Sequence, residues 1–136
     1  MGDLAPVRIV AAVIFDAARR VLLVRKRGSG IFIQPGGKRE PGEAALETLA
    51  RELHEELGVR LRAGSAVALG EFSDLAVHET GRRVEAEVFV CEIEGAPRPG
   101  AEIEALVWVD PAAPSGELVI APLSRNHILP RAAMRA

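Results

Sequence analysis

The sequence predicts an α/β or α+β sandwich built around a mixed β-sheet. Three observations carry that expectation: the order of elements (strands, one long helix, more strands, a last helix), a first strand apolar on both faces, and a single amphipathic helix bounded by breakers. Val7 to Phe15 (VRIVAAVIF) is β-branched and apolar, the pattern of a strand buried on both sides. Asp16 to Arg20 supplies a turn, and Val21 to Val24 a second strand that exits into Arg25, Lys26 and Arg27. After the flexible Gly28-Ser29-Gly30 comes a short strand, Ile31 to Ile33. Gln34 to Gly42 (QPGGKREPG) is dense in breakers, and no regular structure is expected there. A helix follows from about Glu43 to Leu57, ended by Gly58. Leu46, Leu49, Ala50, Leu53 and Leu57 share one stripe about 100° wide, so that face is expected to pack on a core. Beyond it Val67 to Phe72, Leu75 to Glu79 and Arg83 to Ile93 read as strands, with Thr80-Gly81-Arg82 as a hairpin turn between the last two. Glu94 to Gly100 is a loop, Leu106 to Val109 a strand and Pro111 to Gly116 another loop. A C-terminal helix starts near Ser124 and must tolerate or end at Pro130.

Composition narrows the function. With 136 residues the chain is sized for one domain, expected to span 1–136, and can bury a core without disulfides. The single cysteine, Cys91, excludes a disulfide framework and a Cys-rich zinc site, and fits a small buried residue. A net charge of -2, four Phe and one Trp leave neither a basic surface nor an aromatic platform for nucleic acid. The apolar run Ile9 to Phe15 is far short of the ~20 residues of a membrane span, and no signal cleavage site accompanies it. A soluble, cytoplasmic protein is expected, with no nucleic-acid or membrane partner and with a homodimer left open.

The chemistry lies on the long helix. Between Glu40 and Glu56 stand six acids (Glu40, Glu43, Glu47, Glu52, Glu55, Glu56) and one base, Arg51. Glu52, Glu55 and Glu56 fall at i, i+3 and i+4 on one side of the helix, where like charges repel. A solvated acidic face is the ordinary explanation of such a run. The flanking loop argues otherwise: Gly36 and Gly37 let backbone approach a ligand, and Lys38, Arg39 and Arg25 to Arg27 are cations close by. Hard oxygen donors suit Mg²⁺, with Mn²⁺ as a substitute, and bases nearby suit phosphate. These are the parts of a phosphoryl-transfer site. Neither a P-loop nor a GxGxxG fingerprint is present.

From Gly37 to Val59 the chain reads GKREPGEAALETLARELHEELGV, and this resembles a complete Nudix box, G-x5-E-x7-R-E-U-x-E-E-x-G-U with U apolar. Gly37, Glu43, Arg51, Glu52, Leu53, Glu55, Glu56, Gly58 and Val59 fill every fixed position. Length and element order are similar to small MutT-like members of that family. The resemblance implies a Nudix-type α/β/α sandwich around a mixed sheet. It also implies Mg²⁺-dependent hydrolysis, by water attack on phosphorus, of the pyrophosphate in a nucleoside diphosphate linked to a group X. A (deoxy)nucleoside triphosphate or an oxidised nucleotide is the leading substrate class.

Carried over position by position, the resemblance implies that Glu52 and Glu56 bind metal and that Glu55 binds metal or a water on it. Glu52 or Glu55 would deprotonate the attacking water, and Gly36 or Gly37 would offer a carbonyl to the ion. Glu43 and Arg51 would orient the carboxylates. Lys38 and Arg25 are candidates for phosphate, and Phe32 for a nucleobase. Asn126 is a candidate reader of a purine edge, since an amide carries a paired donor and acceptor. Members of the family often add a Glu before a late strand, for which Glu102 and Glu104 are the candidates, Glu102 first. Glu85 and Glu87 point to one face of their strand, Trp108 to the core, and His54, His78 and His127 to the surface.

Three alternatives stand beside this reading. Hydrolysis of ADP-ribose or of dinucleoside polyphosphates is weakened, because Glu71 to Ala76 (EFSDLA) lacks the Pro and Tyr that mark those types and the chain has no Tyr. A non-catalytic Nudix-fold nucleotide-binding regulator is weakened by the intact carboxylates. A purely structural domain would leave the acidic helix as a docking face.

Overall fold

A computed structural model describes residues 5–135; the first four residues and the last residue of the expected 1–136 domain lie outside the described residues. Among the described residues nine strands and two helices run β1 Val7–Val13, β2 Val21–Lys26, β3 Phe32–Ile33, β4 Gly36–Gly37, α1 Ala45–Leu57, β5 Arg60–Leu61, β6 Val67–Leu75, β7 Arg83–Val90, β8 Ile93–Glu94, β9 Ile103–Val109 and α2 Leu129–Ala133. One π-type turn, Ser124–Ile128, leads into α2. β1 lies between β4 and β7 in a four-stranded sheet ordered β4-β1-β7-β6. It pairs parallel with β7 and antiparallel with β4, so the sheet is mixed. β3-β2-β9 form a second, antiparallel sheet.

The alternation of β1 and β2 divides two cores. Val10, Ala12 and Ile14 with Leu22 and Val24 face α1, where Leu49, Leu53 and Leu57 are fully buried. Ala11, Val13, Val21 and Leu23 face the other way, onto Leu123, Ile128, Leu129 and Ala132 of the C-terminal segment. Helices on both sides of mixed strands make the α/β/α sandwich, and both faces of the first strand are buried as its sequence predicts.

Several elements depart from expectation. The breaker-rich Gly36-Gly37 is a short strand, because pairing with Val10 and Ala11 supplies what propensity withholds. β6 continues through Ser73 and Asp74 to Leu75, and the expected strand Leu75 to Glu79 is instead the start of a loop closed by Ala76 N–H to Arg82 O, 3.0 Å. The Arg83 to Ile93 strand breaks after Val90, and Ile93–Glu94 pairs with Arg60–Leu61 as a separate ribbon. Leu46 of the helix stripe is 43% exposed. Pro130 falls in the first turn of α2, which continues out of the π-type turn in unbroken helical backbone, so the helix tolerates the proline and does not end at it.

α1 begins two residues after its expected start. Ala44 has no cap oxygen, but Glu47 Oε1 accepts its N–H at 2.8 Å, half of a capping box. The helix ends on Gly58 at φ 67°. Its last carbonyls are received by the loop before β9: Arg98 N–H donates to Leu57 O and Gly100 N–H to Glu56 O, each at 2.9 Å. The acidic end of α1 is thereby fixed in place.

Candidate active site

Two glycines bring backbone against both neighbours. A Cβ on Gly36 (φ +147°) would lie 2.1 Å from the Val10 carbonyl oxygen. A Cβ on Gly37 would lie 2.5 Å from the Glu52 carboxyl carbon. Without side chains, β4 fits between β1 and α1, and Gly36 N–H donates to Glu56 Oε1 at 3.1 Å.

Arg51 organises the acids. Its Nε and Nη2 donate to the two oxygens of Glu43 at 2.7 and 3.0 Å, and its Nη1 donates to Glu52 Oε2 at 2.7 Å. Nη2 also reaches the Lys38 carbonyl at 3.0 Å, tying helix to glycine loop. Glu43 further accepts from Thr48 Oγ1 and from Glu40 N–H. The Arg51 guanidinium, then the Glu40 N–H, hold the Glu43 carboxyl down at about 2, and Glu43 in turn raises Arg51.

The carboxylates nearer the sheet behave oppositely. Burial pushes Glu56 up to about 8, with the charges of Glu52 and Glu55 adding to it, against the Gly36 N–H and Lys26. Burial also raises Glu52 above the ordinary range, although Arg51 opposes it. Glu56 is 6% exposed, and its one side-chain hydrogen bond among the described residues is that from Gly36. A carboxyl so enclosed and so poorly partnered is expensive to ionise unless a cation joins it.

The donor set fits a hard divalent ion. Glu52, Glu55 and Glu56 offer oxygens only, beside the backbone of Gly36 and Gly37. Among the described residues no three acidic, His or Cys side chains yet close on one point. Arg51 draws Glu52 to 2.7 Å and Glu55 to 3.5 Å instead.

A cleft of about 530 Å³ opens beside these groups, and Gly36, Gly37, Lys38, Arg51, Glu52, Glu55, Glu56 and Glu102 line it. Its remaining wall is largely apolar, with Ile9, Leu75, Val84, Ala121 and Leu123 and the buried Ser124. Other predicted residues lie elsewhere. Glu43 supports Arg51 from outside the cleft. Arg25 is committed to Glu104 at 2.6 Å and to the Ser29 carbonyl at 2.9 Å, with its guanidinium 5.7 Å from the centre of the Phe32 ring. Phe32 itself packs against the core under the C-terminal segment. Asn126 is exposed and donates to Asp74 at 3.3 Å, beside His127 at 3.0 Å from the same oxygen. Glu85 pairs with Arg8 and Glu87 with Arg39.

Of two further cleft residues, sequence reasoning names Lys26 only among the nearby cations, with Arg25 preferred to it, and does not name Gln34. Lys26 shares a strand face with Leu22 and Val24 and so points toward α1, whereas Arg25 points away; that alternation was the available signal. Gln34 is buried, its Nε2 donates to the Ala12 carbonyl at 2.9 Å, and its Oε1 has no partner among the described residues. Nothing in the sequence marks it out.

Fold and site together define an α/β/α sandwich protein with an oxygen-donor site at the mouth of a nucleotide-sized cleft. The NUDIX domain family matches residues 5–130, and the chain belongs to that family. It is 32% identical over 109 residues to the CTP pyrophosphohydrolase of Escherichia coli (strain K12), covering 77% of this chain and 76% of that one. It is 38% identical over 112 residues to an isopentenyl-diphosphate Delta-isomerase of Leifsonia xyli subsp. xyli (strain CTCB07), covering 74% and 60%. The crystal structure of the MutT protein from Methanosarcina mazei Go1 superposes with a TM-score of 0.78 at 25% identity, covering 98% of each chain. The chain spans 63%, 62% and 60% of the length of three curated relatives it matches. No helix among the described residues is long and apolar enough to cross a membrane.

Proposed function

We propose that this protein hydrolyses the pyrophosphate linkage of a nucleoside diphosphate bonded to a group X, with a (deoxy)nucleoside triphosphate or its oxidised form as the leading substrate class. One observation carries the reading: a carboxyl 6% exposed, held by a single backbone N–H, stands beside two further glutamates at the mouth of the cleft. The kinship with a CTP pyrophosphohydrolase supports the substrate class, and the apolar wall suits a nucleoside. Glu52, Glu55 and Glu56, with a carbonyl of Gly36 or Gly37, would hold Mg²⁺ or Mn²⁺. That ion supplies charge stabilisation to the polyphosphate and acidifies water.

The chain's own groups supply the rest. Arg51, anchored on Glu43, sets the direction of the Glu52 carboxylate. Glu52 or Glu55 accepts the proton of the attacking water at a carboxylate oxygen. Lys38 holds a phosphate oxygen after leaving Glu79, its partner at 3.2 Å. The nucleoside rests against Ile9, Val84 and Leu123. Attack on phosphorus forms one P–O bond, breaks the bridging one, and the two phosphate products depart.

The test is hydrolysis of a panel of nucleoside triphosphates, 8-oxo-dGTP, ADP-ribose and diadenosine polyphosphates in Mg²⁺, read as released phosphate or pyrophosphate. A triphosphate is expected to be cleaved, with a loss of at least ~10²-fold in Glu56→Gln. A silent panel, or full activity in that variant, overturns the proposal.

A further inference from the structure

One polar side chain in the cleft wall is both buried and incompletely matched. Gln34, just after β3, is 5% exposed and lines the cleft; its Nε2 donates to the Ala12 carbonyl at 2.9 Å, and its Oε1 has no hydrogen-bond partner among the described residues. Leaving a buried carbonyl open is costly, so such an atom in a binding cleft calls for a donor from the ligand. We infer that Gln34 determines base specificity: its Oε1 accepts a hydrogen bond from an exocyclic amino group, selecting cytosine or adenine over the keto counterpart. The inference rests on the proposed function only in taking the ligand to be a nucleotide.

The neighbour of the amide settles its orientation. A backbone carbonyl can only accept, so Ala12 takes the NH₂ end and leaves the oxygen; the reversed amide would set two oxygens together. The Ala12 N–H donates in turn to the Pro35 carbonyl at 2.9 Å. Both backbone groups of one β1 residue thus clamp the Gln34-Pro35 step, and the acceptor is presented rigidly.

The surroundings suit the edge of a base. Phe32 N–H donates to Val119 O at 2.8 Å and Ala121 N–H to Phe32 O at 2.9 Å, a parallel bridge. Two residues beyond it on one side comes Gln34, and on the other the chain continues through Leu123 to Ser124 in the same cleft wall. Leu123, with Ile9 and Val84 of the sheet, offers apolar surface to the ring faces, and the buried Ser124 adds a hydroxyl able to donate or accept. Asn126, the amide expected from the sequence to read a base, is instead turned to Asp74. Cytosine and adenine carry an amino donor where uracil and hypoxanthine carry a keto oxygen on the same ring outline, so a fixed acceptor opposes the keto member of each pair.

The probes are nucleoside monophosphates in those pairs, cytidine with uridine and adenosine with inosine, titrated with Mg²⁺ into the full chain and followed by NMR. In at least one pair the amino member is expected to bind about tenfold or more tightly than its partner and to shift the Gln34 side-chain amide resonances. Gln34→Leu should bind both members alike, whereas general damage to the fold would weaken both and keep their ratio. Gln34→Met, unbranched like glutamine, is the second variant. Equal affinities within both pairs in wild type, a preference that survives both variants, one lost in Asn126→Ala instead, or no binding of any of the four overturns the assignment. The hydrolase reading fails separately: a Gln34-dependent preference without cleavage of any nucleotide sinks that reading and keeps the assignment. Cleavage of a triphosphate with no such preference does the reverse.

Discussion

Replacing Glu56 by Gln should make the metal-free protein more stable above neutral pH, although it removes a group central to the site. The Glu56 carboxyl sits at about 8 against an ordinary 4.5. That gap of about 3.5 pH units, at 1.36 kcal/mol each, makes ionising it in the folded state cost on the order of 5 kcal/mol. Below pH ~4.5 both states carry the proton. Between ~4.5 and ~8 the unfolded chain releases it and the folded chain keeps it, so stability falls as pH rises, by at most ~1.4 kcal/mol per unit. Above ~8 the full cost is present. Glutamine has no such proton and still accepts the Gly36 N–H. Glu52, also raised by burial, adds a slope of the same sign to both proteins. Urea unfolding in chelator at pH 5, 6, 7, 8 and 9 measures the difference: the wild-type curve should descend more steeply and the two should separate toward pH 8. Mg²⁺ should then restore wild type but not the variant. Parallel curves across the range would refute the assignment of a buried, cation-seeking carboxyl.

The two glycines should separate stability from activity. Gly36→Ala, with its Cβ against the Val10 carbonyl, should cost more than about 2 kcal/mol in thermal unfolding, whereas Gly37→Ala, pressing on Glu52, should lower turnover about 10²-fold with a smaller loss of stability. Arg51→Lys cannot span Glu43 and Glu52 together, so activity should drop roughly 10- to 100-fold, and the Glu43 carboxyl, measured by NMR titration, should rise from about 2. Cys91 is buried, and burial pushes its thiol up to about 12, so iodoacetamide at pH 8 should label it only after denaturation; rapid labelling of native protein would contradict its place in the core.

How much of this was readable in advance follows from the range of the forces involved. Local signals served well. The α1 stripe and Gly58 located the helix, and the spacing of Glu52, Glu55 and Glu56 placed their side chains at one cleft. The burial of β1 on both faces from Val10 to Val13 agreed with its apolar run. What escaped depends on partners distant in sequence. Gly36-Gly37 reads as a loop until Val10 and Ala11 are set beside it, and the ribbon of Arg60–Leu61 with Ile93–Glu94 is two residues long on each side. The choice between Arg25 and Lys26 turned on which face of β2 meets α1, and the alternation with Leu22 and Val24 decides it only once those two are set against the helix. Asn126 turned to Asp74, because β6 runs three residues past its expected end and brings that carboxylate within reach.

The parallel pairing of β1 with β7 has a consequence for how the molecule assembles. Val7 to Val13 must meet Val84 to Val90, about eighty residues further on, before the central strand gains its second neighbour. During synthesis β4 can meet one edge of β1 early, through Val10 and Ala11, while the other edge waits unmatched until well over half of these residues have emerged. Nucleation through long-range closure makes slow, all-or-none assembly the expected behaviour, and the early β1–β2 stretch is the part of the nascent chain for which a holding chaperone would compete.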